Sequence, residues 1–134
     1  MPSSDPASYD LSAFRSALQR APAVVLSSAA FTAYDPVTPA ALVPAVTRRL
    51  LRQTLRFNGA AITDDLASLA AATGKSEGAT AVAALQAGAD LVHVPDPRQR
   101  GRVYASVLAA ARSGRLSKGR LRDAVARVID LKRR

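Results

Sequence analysis

Cysteine is absent from the 134 residues, and histidine occurs once, as His93. Without cysteine neither a disulfide nor a thiolate metal site can form. A single histidine excludes a histidine-rich zinc site. Aromatic residues make up 4% of the chain, so any core must be built from small and branched aliphatic side chains. No apolar run reaches about 18 residues, which argues against a membrane span. The opening Met1-Pro2-Ser3-Ser4-Asp5-Pro6 has neither a basic start nor an apolar stretch. It does not read as a signal peptide, and the expected compartment is the cytoplasm. No glycine-rich phosphate loop of the P-loop or dinucleotide type occurs.

What is present is apolar and basic. Hydrophobic residues make up 49% of the chain, enough for a real core, and the length suits one domain. The formal net charge is +9. It is unevenly spread: residues 1–97 carry 7 Lys/Arg against 8 Asp/Glu, whereas residues 98–134 carry 12 against 2. Such asymmetry suits a nucleic-acid or anionic-surface partner. It equally suits solvated helical faces, and Arg112, Arg115, Lys118, Arg120 and Arg122 read as solvated.

The hydrophobic pattern alternates between strand-like runs and helical stripes. Residues 1–9 read as a disordered lead-in rich in Ser and Pro. Asp10 is placed to cap a helix over 11–20 with Leu11, Phe14 and Leu18 on one face. Residues 23–27 form a first short strand, and 28–43 read as irregular around Pro36 and Pro39. Pro44 opens a helix to Arg56 that buries Val46, Leu50, Leu51 and Leu55. Asn58-Gly59 stops it. Residues 60–63 form a second strand ending at Asp64-Asp65, and a loop through Gly74 and Gly78 follows. A helix over 77–87 is capped by Gly88. Residues 91–94 form a third strand, and 98–112 a helix. Ser117 caps a last helix with the stripe Leu121, Ala124, Val125, Val128 and Ile129.

This order predicts an α/β fold. The strands lack polar alternation, as parallel strands covered on both faces do. Their spacing suits βαβ units. Three parallel strands with flanking helices cannot close a barrel and leave two edges unpaired. Either the sheet is small and open, or part of it lies elsewhere.

The most informative stretch runs from Leu50-Leu51-Arg52 through Phe57-Asn58-Gly59 to Ala60-Ala61-Ile62-Thr63-Asp64-Asp65. It puts a carboxylate at the carboxyl end of a buried strand, the end where α/β barrels build their active sites. The competing reading is that Asp64 caps the turn after the strand. Asp65 reads as support for the loop by hydrogen bonding. His93, between Val92 and Val94, reads as a packed strand residue. Ser27-Ser28 lacks the strained Gly-x-Ser-x-Gly elbow of a serine hydrolase.

This stretch resembles the signature of glycoside hydrolase family 3, in particular its β-N-acetylhexosaminidase branch. Ala87-Gly88-Ala89-Asp90-Leu91 resembles the family's next helix-to-strand junction. Ala23-Val24-Val25-Leu26-Ser27, with Asp35-Pro36 after it, resembles the strand and loop before. The three matches keep order and spacing over residues 10–134. The resemblance implies that the chain is the last three βα units of a (β/α)8 barrel, a partial TIM barrel. It implies retaining hydrolysis of a terminal β-linked N-acetylhexosamine, with Asp64 as nucleophile and no metal or organic cofactor. The sequence departs from the pattern at Thr54, where a longer polar residue is usual, and at Ala60 and Ala61, which replace larger aliphatics. The family's lysine–histidine sugar-binding stretch and its acid/base loop are not among these residues, so the chain is expected to be inactive alone.

Two other readings stand beside it. In one, segment 98–134 is a basic binding module for nucleic acid or an anionic surface. Tyr104 is its only aromatic, so base stacking is poorly served and nucleic acid is disfavoured. In the other, the chain is an inactive remnant that pairs with an intact homologue. A fragment would take a carbohydrate substrate and would associate with a missing barrel half, or with itself through open sheet edges.

Overall fold

The computed structural model describes residues 11–134. The expected lead-in over 1–9 and the Asp10 cap lie outside the described residues. In chain order the elements are helix α1 (Ser12–Leu18), strand β1 (Ala23–Leu26), strands β2 (Ala30–Phe31) and β3 (Asp35–Pro39), a 3-10 turn (Ala40–Leu42) and a π-helix (Ala45–Thr54). Strand β4 (Ala60–Asp65), helices α2 (Leu66–Thr73) and α3 (Glu77–Ala87), strand β5 (Leu91–His93) and helices α4 (Arg100–Arg112) and α5 (Lys118–Lys132) follow. No helix among the described residues is long and apolar enough to cross a membrane.

β1, β4 and β5 form one parallel sheet in that order, so the expected three-stranded parallel layer with flanking helices is present. Val24 and Leu26 of β1 and Ala61 of β4 pack with Leu18, Leu51, Phe57, Leu69, Ala84 and Ala89 in one core cluster. Val92 and Val94 pack against α3 and α4 through Val82, Leu85, Val103 and Val107. The strand register puts these residues on one side, so one face of the sheet carries the helices. Coverage on both faces does not hold. Val25, between Val24 and Leu26, is 67% exposed, and Ile62, Leu91 and His93 lie outside the core clusters. Continuous apolar runs signalled buried strands, but a strand in a barrel wall is equally apolar on the face that other strands would cover.

The segment 28–43, expected to be irregular, holds a small antiparallel hairpin of β2 and β3. The Asp35 carboxylate accepts the Val37 and Thr38 amides at 2.9 and 2.8 Å, so side-chain chemistry rather than hydrophobic period builds this turn. The helix expected from Pro44 is present but wound wide. Leu55 N–H donates to Leu50 O at 2.8 Å, five residues back. A π-wound segment does not keep 3.6 spacing, so only Thr47 and Leu51 are fully buried, and Val46, Leu50 and Leu55 are half-buried. The chain then turns through Arg56 at φ +53°, the left-handed position glycine usually takes after a helix.

The loop expected through Gly74 and Gly78 is mostly helix. α2 starts directly on the tip of β4, and Gly74 ends it at φ +66°. Gly78 lies inside α3, where a Cβ would collide with Ser106 of α4; a glycine spent on close helix packing looks in sequence like a loop. The expected caps Ser117 and Gly88 are in place. The apolar stripe of α5 is only partly used: Ala124 is buried, whereas Val125 and Ile129 are exposed, as is Phe14 of α1.

Candidate active site

The parallel register pairs Leu26 of β1 with Thr63 of β4. The next residues of both chains therefore emerge side by side at the carboxyl end of the sheet. There Ser28 Oγ donates to Asp64 Oδ2 at 2.8 Å. The Asp65 N–H donates to Asp64 Oδ1 at 2.8 Å. The two donors hold both oxygens of a half-buried carboxylate on a strand tip. They also lower its pKa, the Asp65 amide most and the Ser28 hydroxyl next, with a smaller electrostatic pull from His93; burial acts the other way. A carboxylate that accepts hydrogen bonds in its charged form stays ionised.

Asp65 has a different task. Its Oδ1 accepts the Ala67 N–H at 2.8 Å and its Oδ2 accepts the Ser68 hydroxyl at 3.2 Å. It is the N-cap of α2. The sequence Asp64-Asp65 thus divides its labour: one side chain faces the mouth of the sheet, the other starts the helix.

His93 pairs across the sheet with Asp65. Its side chain is exposed rather than packed, because β5 presents residues 91 and 93 to the uncovered face. Its amide donates to the buried Thr63 hydroxyl at 3.0 Å, bridging a register shift between Ile62 and Asp65. Ser28 is the residue sequence reasoning passed over. In sequence it reads only as a serine without a nucleophile elbow, whereas its position just after a strand that pairs with β4 makes it a partner for Asp64. Among the described residues no group of three or more His, Asp or Glu could hold a metal.

A second cluster lies at the other end of the strands. Asp90, just before β5, is buried and accepts the Ala61 N–H at 3.0 Å. Its carboxylate also receives Arg52 Nη2 at 2.6 Å, Arg120 Nη2 at 2.5 Å and Arg127 Nη1 at 3.2 Å. Arg52 further donates to the Phe57 and Gly59 carbonyls at 2.9 and 2.6 Å. The Leu-Leu-Arg stretch and the Ala-Gly-Ala-Asp junction, 38 residues apart, therefore meet in one ion pair. Arg120, expected to be solvated, is instead held at Asp90 and at the Leu85 and Ala89 carbonyls. The seven-residue spacing of Arg120 and Arg127 puts both on one helix face, but nothing in that spacing tells a paired face from a solvated one.

Residues 1–131 match the family described as the glycosyl hydrolase family 3 N terminal domain. No curated protein matches the chain. Among solved structures, a glycoside hydrolase family 3 beta-N-acetylglucosaminidase from Paenibacillus is 35% identical, with a TM-score of 0.83 over 92% of this chain and 24% of its own. A beta-N-acetylhexosaminidase from Beutenbergia cavernae is 30% identical, with a TM-score of 0.81 over 90% of this chain and 36% of its own. LpqI of M tuberculosis is 27% identical, with a TM-score of 0.82 over 92% and 38%. The chain thus spans between about a quarter and two-fifths of the length of these structures. A parallel β1–β4–β5 sheet with helices on one face and the match over nearly its whole length make this chain a member of the glycosyl hydrolase family 3 N-terminal domain family.

Proposed function

We propose that this chain is the nucleophile-bearing part of a retaining β-N-acetylhexosaminidase barrel, its last three βα units over 10–134, with Asp64 as the attacking carboxylate. The observation that carries the reading is Asp64 at the carboxyl end of β4, kept ionised by the Asp65 amide and the Ser28 hydroxyl. The family membership and the printed activities of the Paenibacillus and Beutenbergia enzymes support the sugar class.

In this reading Asp64 attacks the anomeric carbon of a terminal sugar. The glycosidic C–O bond breaks as an acid on other polypeptide protonates the leaving oxygen. Water then attacks the glycosyl ester, the same group takes its proton, and Asp64 is released. Each carboxylate oxygen has two lone pairs, so one donor per oxygen fixes the orientation and still leaves electrons for attack. Asp65 acts indirectly, by starting α2 and aiming its own amide at Asp64.

The uncovered face of the sheet, with Val25, Ile62 and Leu91, is where the remaining barrel strands would sit. In this reading the acid/base group lies on other polypeptide, and lack of general acid–base help usually costs about 10²–10⁴ in rate. The test is to co-express the chain with the complementary barrel strands of the Paenibacillus enzyme and to assay a chromogenic β-N-acetylglucosaminide. Turnover is expected only in the complex, and Asp64→Asn is expected to abolish it. Turnover that survives Asp64→Asn ends the nucleophile assignment; full turnover by the chain alone ends the fragment reading. The basic-module alternative loses ground from one observation: Arg120 and Arg127 of segment 98–134 are committed to Asp90.

A further inference from the structure

The charge around Asp90 does not balance. Three guanidiniums meet one carboxylate, and their side chains are only 15%, 13% and 26% exposed for Arg52, Arg120 and Arg127. The pKa of Arg52 is lowered, by burial first; Asp90 opposes this, and the like charges of Arg127 and Arg120 add to it. Arg48, from the π-helix, brings a fourth guanidinium to the same place and donates to the Gln86 carbonyl. The carboxyl end of α3 returns part of this charge through its carbonyls, roughly half an electron for a helix terminus. With the exposed Arg48 and the exposed Asp123 both counted, roughly one to two positive charges remain, and the part of that charge carried by the half-buried arginines is costly without a counterion.

The four arginines line a hollow of about 370 Å³. Asp123 is the one acidic residue in that lining. Thr47, also in the lining, is buried with its hydroxyl unpartnered among the described residues. Arg127 spends Nη1 on Asp90, and Arg48 spends Nη2 on Gln86. Each keeps Nε and its other terminal nitrogen for a ligand. The hollow lies by Gly88 and Asp90, at the amino end of the strands and away from Asp64.

We infer that this hollow is a binding site for a phosphate group, taken as inorganic phosphate or as a small phosphomonoester. A phosphate dianion matches the surplus charge. Its several oxygens accept from more than one guanidinium at once, and paired N–H donors of arginine suit that geometry. A carboxylate ligand would leave part of the charge uncompensated. The hollow has room for a short organic tail beyond the phosphate. This site is independent of the glycosidase reading, because no residue in it touches Asp64.

The test titrates the full chain with inorganic phosphate and, separately, with glycerol 3-phosphate, by calorimetry and thermal unfolding. Ionic strength is held constant with sodium chloride, so that screening of scattered surface charge does not change. Saturable one-site binding and a Tm that climbs with ligand concentration are expected for at least one of the two. Binding of both points to the phosphate alone; binding of the monoester only points to recognition of the tail as well. Arg48→Gln makes no change at Asp90, so it should fold normally and weaken binding at least about tenfold. Arg127→Gln should weaken it as well. Arg112→Gln, on an exposed position of α4, should leave it unaltered. Absence of saturable binding by either ligand up to about 10 mM overturns the inference, and so does affinity that survives Arg48→Gln.

Discussion

Ser28 and Asp64 stand 36 residues apart in the chain and share a 2.8 Å hydrogen bond between a hydroxyl and a carboxylate. The bond joins the ends of two parallel strands. It helps to lower the pKa of Asp64 at the carboxyl end of the sheet, so it is the natural place to perturb the site.

Ser28→Ala removes one of the donors that lower the Asp64 pKa. The pKa should move up toward the ordinary carboxylate value while the fold persists, as read by NMR titration of the Asp64 carboxyl carbon. Because the folded pKa is depressed, Asp64 contributes stability above its unfolded value of about 3.9, and that contribution fades as pH falls through the folded value. In Ser28→Ala this acid-side loss should be smaller and complete at a higher pH, since the folded value lies closer to the unfolded one. An unchanged titration would show that the Asp65 amide alone holds the carboxylate.

Asp65→Ala deletes the N-cap of α2. A loss of about 1 kcal/mol is expected in urea unfolding, and Asp65→Asn should restore most of it, since asparagine caps nearly as well. Equal losses in both variants would mean that charge, rather than capping, is what Asp65 supplies.

Asp90→Ala strips the counterion from three arginines and a partner from the Ala61 amide. Breaking such a buried pair by removing one partner costs about 3–5 kcal/mol. Chemical denaturation measures it. A cost under about 1 kcal/mol would place the cluster among idle surface pairs.

Leu116→Ala tests the second core. Leu116 is fully buried between α4 and α5, with Val82, Leu85 and Ala110 around it. Truncation should cost about 2–5 kcal/mol by lost transfer energy and an unfilled cavity. A smaller loss would mean that the alanine-rich surroundings collapse onto the gap.

Sequence and structure agree best where a single local rule decides. Ser117 and Gly88 ended or began helices because capping depends on the residue itself and its near neighbours. The strands expected over 23–27 and 60–63 are legible as apolar runs, and the structure has them at Ala23–Leu26 and Ala60–Asp65, though such runs cannot say which face is covered. The helix α2 has little signal in the sequence because its alanine-rich stretch before Gly74 has almost no amphipathic period; it is anchored at one end by Asp65 and packed through Leu66 and Leu69. Asp64 is expected at a site from its place at the end of a strand. Ser28 carries no such signal, since its hydrogen bond to Asp64 exists only once β1 and β4 lie in register.

Composition and pattern alone determined that this chain makes parallel strands and helices around an aliphatic core, with a carboxylate on a strand tip, because those outcomes follow from side-chain type and spacing. Only the tertiary structure decided which charges are paired. Arg120 looked like any solvent-facing arginine until α5 packed against the carboxyl end of α3 and set it on Asp90. Pairing of distant charges depends on distances that folding creates, and neither residue's neighbours in the chain carry that information.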